Sequence, residues 1–250
     1  LNQDFKQLWN LLKHLDAHGL IDNMNWKAQW IGIDSALNAT DVVNDVRTRL
    51  AARYLRKEFP VEGNIASARL YISGLGMYEC YLNGAQVGEG DLFAPTISDY
   101  TKCVYYNTFD VTDKLKEGEN TIGVILGNGR FFSMRMITKE TMPGAVIPSL
   151  THYGYPKLLA QLEITYKDGK QEIITSDNSW KLTTNGPIIA NNEFDGEEYD
   201  ARLEMKGWNK NGFDDKEWIE AKIVGAPQGT LTAQTNPNIK TMETITPVAI

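Results

Sequence analysis

Residues 158–166 read LLAQLEITY, which sets Leu158, Ala160, Leu162, Ile164 and Tyr166 on one side of an extended chain and Leu159, Gln161, Glu163 and Thr165 on the other. A period of two indicates a strand, because successive side chains of an extended backbone point to opposite faces. Strand-like runs recur in WKAQWIGI, ARYLRKEF, ASARLYIS, KCVYYNTFDV, NTIGVILG and EWIEAKIV. Turn signals stand between them. Asn83-Gly84 separates two strand-like flanks, and a two-residue loop of type I′ needs positive φ at both positions, which Asn and Gly tolerate best. Asp168-Gly169 turns LLAQLEITY into KQEIITS. Many short strands with one wet face each predict an all-β chain, an antiparallel β-sandwich.

Only the first twenty residues depart from this period. Phe5, Leu8, Trp9, Leu12 and Leu15 follow helical spacing, Asn2 can cap the start and Gly19 suits the end, so a short amphipathic helix precedes the sandwich. His14 and His18 lie four apart on it but lack an HExxH context, and the third histidine, His152, is distant in sequence. The net charge of −7 argues against a nucleic-acid partner. Arg47, Arg49, Arg53, Arg56 and Lys57 form the basic patch, and strand-like context makes a solvated strand face the expectation there. No apolar run reaches the roughly 18 residues of a membrane span. Cys80 and Cys103 are too few for a disulfide framework and read as small buried hydrophobes. The chain opens on Leu1 and closes on TPVAI, and it reads as a piece of a longer protein.

Two loops, 128–155 and 184–212, are too long for plain connections, and such loops in a sandwich carry function or cover an edge. The second contains NNEFDGEEYDAR, residues 191–202. Its five carboxylates suggest glycosidase chemistry, but that chemistry needs two carboxyl groups facing each other across a sugar, about 5–10 Å apart, and one short segment is poor design for it. Asn191, Glu193 and Asp195 match positions 1, 3 and 5 of an EF-hand loop, with Gly196 at position 6. Position 12 is Arg202 where a bidentate Glu belongs, so an EF-hand is excluded and a looser calcium site on those three residues stays open. LGNGRFF lacks the GK[ST] of a phosphate loop, and no Ser-His-Asp set or GxSxG occurs. Trp26, Trp30, Trp180 and Trp218 sit in strand-like contexts and are expected in the core. Trp208, in KGWNKNGF, is the candidate for stacking on a sugar face.

Longer phrases carry a resemblance. WKAQWIG, RYLRKEF, ARLYISGLGMYECYLNGAQVGEGDLFAPTISDY, YYNTFDVTDKLKEGENTIGVILGNG, YGYPKLLAQLEITYKDG, SDNSWK, FDGEEYDAR and GWNKNGFDDKEW occur in that order. Together they resemble the N-terminal β-sandwich region of bacterial α-L-rhamnosidases, glycoside hydrolase family 78, and more broadly the galactose-binding-like jelly rolls that accompany glycosidases. One departure is that the family usually carries Trp after GNG, where this chain has Arg130.

The resemblance implies a jelly-roll β-sandwich at 26–225, after the helical segment 1–25. Residues 226–250, whose APQGTLTAQTNPNIK has linker composition, would be the link and the start of a further β-domain. It also implies a parent α-L-rhamnosidase, periplasmic or secreted, that hydrolyses rhamnose-containing carbohydrate with inversion. The catalytic carboxylates of such an enzyme lie in a helical (α/α)6 barrel further along the chain, so no catalytic residue is assigned here and no cofactor is required. The expected role is an accessory module that binds sugar or supports that C-terminal barrel. In the sugar-binding form, Asp195, Glu197 and Asp200 accept hydroxyls, Arg202 donates and Trp208 stacks, while calcium takes Asn191, Glu193 and Asp195. In the purely structural form, Arg202 pairs with a neighbouring carboxylate and Tyr199 packs inward.

Overall fold

The computed structural model describes residues 25–35, 50–88, 90–133, 153–194 and 196–246. The N-terminal helix, His14, His18, His152, Arg47 and Arg49 fall outside the described residues. The chain runs through β1 (Ile31–Gly32), β2 (Arg53–Val61), β3 (Ile65–Leu75), β4 (Met77–Leu82), β5 (Ala85–Gln86) and β6 (Asp91–Phe93). Next come β7 (Cys103–Asp110), β8 (Gly118–Gly127), β9 (Lys157–Tyr166), β10 (Gln171–Thr175), β11 (Lys181–Thr183) and β12 (Ile188–Asn192). The last five are β13 (Gly196–Tyr199), β14 (Ile219–Glu220), β15 (Lys222–Ile223), β16 (Thr230–Ala233) and β17 (Ile239–Lys240).

Two sheets face each other, as the alternation predicts. One has the order β15-β1-β9-β3-β7-β16 with β10 also on β9, and the other the order β14-β11-β2-β8-β4-β5. Every pairing within them is antiparallel except β16 on β7. Two small ribbons, β12-β13 and β17-β6, stand beside the sheets. Among the described residues no helix is long and apolar enough to cross a membrane.

The core lies between the sheets. Leu158, Ala160, Leu162, Ile164 and Tyr166 of β9 join Leu70 and Ile72 of β3 against Leu55 and Phe59 of β2, Cys80 and Leu82 of β4, and Ile122, Val124 and Leu126 of β8. Burying each Leu or Ile stabilises the fold by about 1.5–3 kcal/mol. Asn83 and Gly84 adopt φ of 53° and 86°, the double positive φ that their hairpin turn requires. Trp30, Trp180 and Trp218 are buried as expected, and half-buried Trp26 packs edge-on against Tyr71 and Tyr106. Cys80 and Cys103 are both free thiols, and burial pushes the Cys80 thiol above its ordinary range.

Two expectations change. The basic patch is not a solvated face: Arg53 is 2% and Arg56 1% exposed. Alternation sends Arg53 to the inner side with Leu55 and Phe59, where it donates to the carbonyls of Ile33 and Ser35. Arg56 faces outward, but the segment 205–218 lies over that face of the sheet and encloses it. The tail, linker-like in composition, is also stitched to the sandwich. Besides forming β16 and β17, it uses Gln234 Oε1 to accept from the Thr96 N–H, and Asn238 donates to Asp91 Oδ2 at 2.7 Å.

Candidate functional site

The acidic stretch folds as a hairpin because Gly196, at φ 75°, lets β12 turn into β13, pairing Asn191 with Glu197 and Asn192 with Gly196. The base of this hairpin is tied to the end of β8. Asn128 donates its side-chain amide to the carbonyls of Leu50 (2.7 Å) and Asn191 (2.6 Å), and its backbone N–H donates to Asn191 Oδ1 (2.7 Å). Asn191 Nδ2 donates in turn to the Leu50 carbonyl. All of these bonds are buried, and each such bond contributes about 1 kcal/mol net while costing more if one partner is removed. The GNG phrase of the sequence is thus a clamp on the acidic hairpin.

Next along the chain, Arg130 meets Glu193 in a two-pronged pair, Nε to Oε2 at 2.8 Å and Nη2 to Oε1 at 3.1 Å. The bond to Glu193 raises the Arg130 guanidinium above its ordinary value. The residue that departs from the family pattern therefore occupies both oxygens of an expected calcium ligand. A further ligand, Asn191, is nearly buried with its oxygen accepting from Asn128, and Asp195 lies outside the described residues. Among the described residues, no group of three or more His, Cys, Asp or Glu gathers into a metal-binding cluster. An ion held here through Glu193 has to share its oxygens with Arg130 or displace it.

At the hairpin's other end, Asp200 caps a 3-10 turn at Ala201–Leu203 by accepting from the Arg202 backbone N–H. The Arg202 guanidinium closes on the same carboxylate at 2.6 and 2.8 Å, which holds Asp200 down to about 2. That pairing belongs to the structural alternative. Tyr199 departs from it: the ring is 51% exposed and its hydroxyl donates to Glu204 at 2.9 Å, so it does not pack inward.

Trp208 is half-buried where the covering segment packs on the sheet. Its ring meets Tyr54 and Tyr81 edge-on at 5.2 and 5.9 Å and stacks with Trp218 at 6.4 Å. Gly123 makes room for it, since a Cβ there would stand 2.8 Å from the indole. One side of the indole lines a cleft of about 320 Å³ together with Tyr54, Ile188, Tyr199 and Met205. Burial pushes the Tyr54 hydroxyl well above its ordinary range.

A larger cleft, about 650 Å³, opens between the acidic hairpin and the β6-β17 ribbon. Glu193 and Glu197 line it, joined by Glu79, Leu92, Phe93 and Ile239, which the sequence reading did not select. Alternation in MYECYL could have signalled Glu79 as an outward carboxylate on a half-buried strand. Nothing local marks Phe93 or Ile239. Of the carboxylates on this wall, Glu193 is engaged by Arg130 and Glu79 accepts from the Tyr81 hydroxyl at 2.6 Å. Four of the five expected sugar contacts fall among the described residues, Asp195 lying outside them. Glu197 lines the larger cleft, Trp208 the smaller, and Asp200 and Arg202 hold each other at the surface.

Comparison with known proteins follows the same lines. The family model described as the α-L-rhamnosidase N-terminal domain matches residues 63–243. An α-L-rhamnosidase of Formosa agariphila is 38% identical over 245 residues, covering 94% of this chain and 24% of that protein. Among solved structures, the α-L-rhamnosidase from Dictyoglumus thermophilum aligns with a TM-score of 0.76 at 38% identity, over 92% of this chain and 25% of that one. The Streptomyces avermitilis α-L-rhamnosidase complexed with L-rhamnose aligns at 0.68 and 36% identity, over 78% and 18% of the two chains. The chain spans about a quarter of the length of the curated relatives it matches.

Proposed function

Because the chain belongs to the α-L-rhamnosidase N-terminal domain family, we propose that it is a non-catalytic supporting module of an exported enzyme that hydrolyses terminal α-L-rhamnose from glycans or glycosides. The reaction then belongs to a helical catalytic region elsewhere in the full-length protein, and this module steadies it. The observation that carries the reading is how the conspicuous polar groups are used. Asn128 and Asn191, Arg130 and Glu193, and Arg202 and Asp200 bind each other. Groups engaged in this way build a rigid surface and present few unmet donors or acceptors to a ligand. Fold alone does not establish a site.

Two measurements test this. Residues 25–246 should turn over no aryl rhamnoside, and turnover by that fragment would overturn the non-catalytic assignment. Deleting the same residues from the full-length enzyme should lower its thermal stability, and unchanged stability would remove the supporting role. A second reading, sugar binding, draws on the 650 Å³ cleft with Glu197 and Phe93 on its walls, and on the L-rhamnose complex of the Streptomyces relative. Calorimetric titration with L-rhamnose, then with calcium, then with chelator, separates the readings. The supporting role expects no millimolar heat; calcium-dependent heat would favour sugar binding.

A further inference from the structure

Exposed apolar side chains are ordinary when scattered, but a contiguous patch indicates a contact. Leu92 and Phe93 on β6 are 42% and 48% exposed, and Ile239 on β17 is 60% exposed. Ile239 is registered directly opposite Phe93, and all three line one wall of the larger cleft. Met242 and Ile245 continue the row, almost fully exposed, along the chain that leaves β17.

This ribbon is held in place. Asp91 accepts from Asn238 Nδ2 and pairs with Lys240 at 3.3 Å. Asn238 Oδ1 accepts from both Gln234 (2.8 Å) and Asn107 (3.2 Å), and the Thr241 N–H donates to the Gly90 carbonyl at 2.8 Å. The sequence QTNPN, linker-like in composition, thus fixes where the chain departs. The family match ends at residue 243, just beyond this ribbon, and the matched relatives are about four times as long.

We propose that the β6-β17 ribbon, with the cleft wall formed by Leu92, Phe93 and Ile239, is the docking face for the region that follows this domain in the full-length polypeptide. The inference rests on the supporting-module reading and names its contact surface. A region tethered at a pinned exit is presented to the adjacent face at high effective concentration, so a modest apolar contact suffices to seat it. Contacts between domains of one chain commonly bury about 600–1,500 Å².

Hydroxyl-radical footprinting of the full-length protein tests the proposal. Ile173, Ile219 and Ile223 serve as internal references, because they are exposed to a similar degree (44%, 44% and 52%) on other strands. After correction for intrinsic reactivity, Leu92, Phe93 and Ile239 should be modified several-fold less than the references. Equal modification overturns the proposal. Protection that vanishes on serial dilution assigns the face to a second copy and overturns it, as does protection that appears only with added L-rhamnose. The double variant Phe93→Ser, Ile239→Ser in the full-length protein should restore reference-level modification at Leu92 while leaving Ile173 unchanged. If deleting the whole module destabilises the enzyme but the ribbon is unprotected, the supporting role survives and this face does not.

Discussion

Arg53 and Arg56 stand three residues apart on β2, equally hidden from solvent, and their surroundings are opposite. Arg56 lies on the outer face beneath the covering segment, between the carboxylates of Glu58 and Asp215. It also donates to the carbonyls of Trp208 and Lys210 and lies 5.6 Å from the centre of the Phe213 ring. Arg53 lies on the inner side, where two carbonyls at 3.3 and 3.4 Å and the Tyr155 ring are its neighbours. Among the described residues, two of its guanidinium nitrogens, Nε and Nη1, find no acceptor. Burial pushes Arg53 down to about 10, still a cation at neutral pH. The pair shows that burial of a charge does not tell whether it holds the structure together. What decides is how completely its donors are met.

The largest effect should come from Arg56→Leu. Removing one member of a buried ion cluster leaves the others uncompensated and costs about 3–5 kcal/mol where the remaining charges stay dry. Glu58 and Asp215 are partly exposed (33% and 25%) and can rehydrate, so a loss of about 3 kcal/mol is expected. Because Arg56 ties the covering segment to the sheet, amide exchange across residues 208–215 should speed up before global unfolding does. Urea denaturation measures the first quantity and exchange the second. A loss under about 1 kcal/mol, in the range of an exposed pair, would erase the distinction from a surface ion pair.

Arg53→Met sharpens the contrast by reversing its direction. The substitution removes a poorly satisfied cation and keeps much of the side-chain volume, so stability should stay within about 1 kcal/mol of the parent or rise. The same urea experiment reads it. A loss of about 3 kcal/mol or more would make Arg53 a fully compensated cation like Arg56 and collapse the comparison.

The two arginines also mark how far the sequence was legible. Alternation along RYLRKEF correctly puts residues 53 and 56 on opposite faces, and the two-sheet architecture follows from the same period in β3, β8 and β9. Charge pattern then assigned both residues to water, because it sees only nearest neighbours. What encloses Arg56 comes from about 150 residues further on, in a segment whose Gly- and Asn-rich composition reads as an open loop. The same limit applies to the acidic hairpin. Its carboxylates were visible at once, but their engagement by Arg130 and Arg202 depends on geometry, with Arg130 and Glu193 63 residues apart. QTNPN fails the same test, since composition cannot distinguish amides that face solvent from amides bonded to Asp91, Thr96 and Asn107.

Arg202 supplies the third case, a paired arginine in the open, and the smallest effect. Its side chain is 88% exposed, and its bonds hold Asp200 at about 2, below the ordinary value near 3.9. A carboxylate depressed on folding contributes stability that is present above its unfolded pKa and is lost as pH falls through the folded value. Any contribution from this pair therefore disappears only between about pH 4 and 2. Arg202→Ala should move the Asp200 titration upward, toward but short of the ordinary value, because the backbone N–H of residue 202 still caps the carboxylate. Melting temperature at neutral pH should not change measurably, since solvent screens an exposed pair. Carboxyl-carbon NMR across the acid range reads the titration. An unmoved midpoint would mean that the cap alone sets Asp200 and that the guanidinium is idle, whereas a shift without a stability change places Arg202 at the far end of the series from Arg56: fully paired, yet with almost no desolvation for the pair to offset.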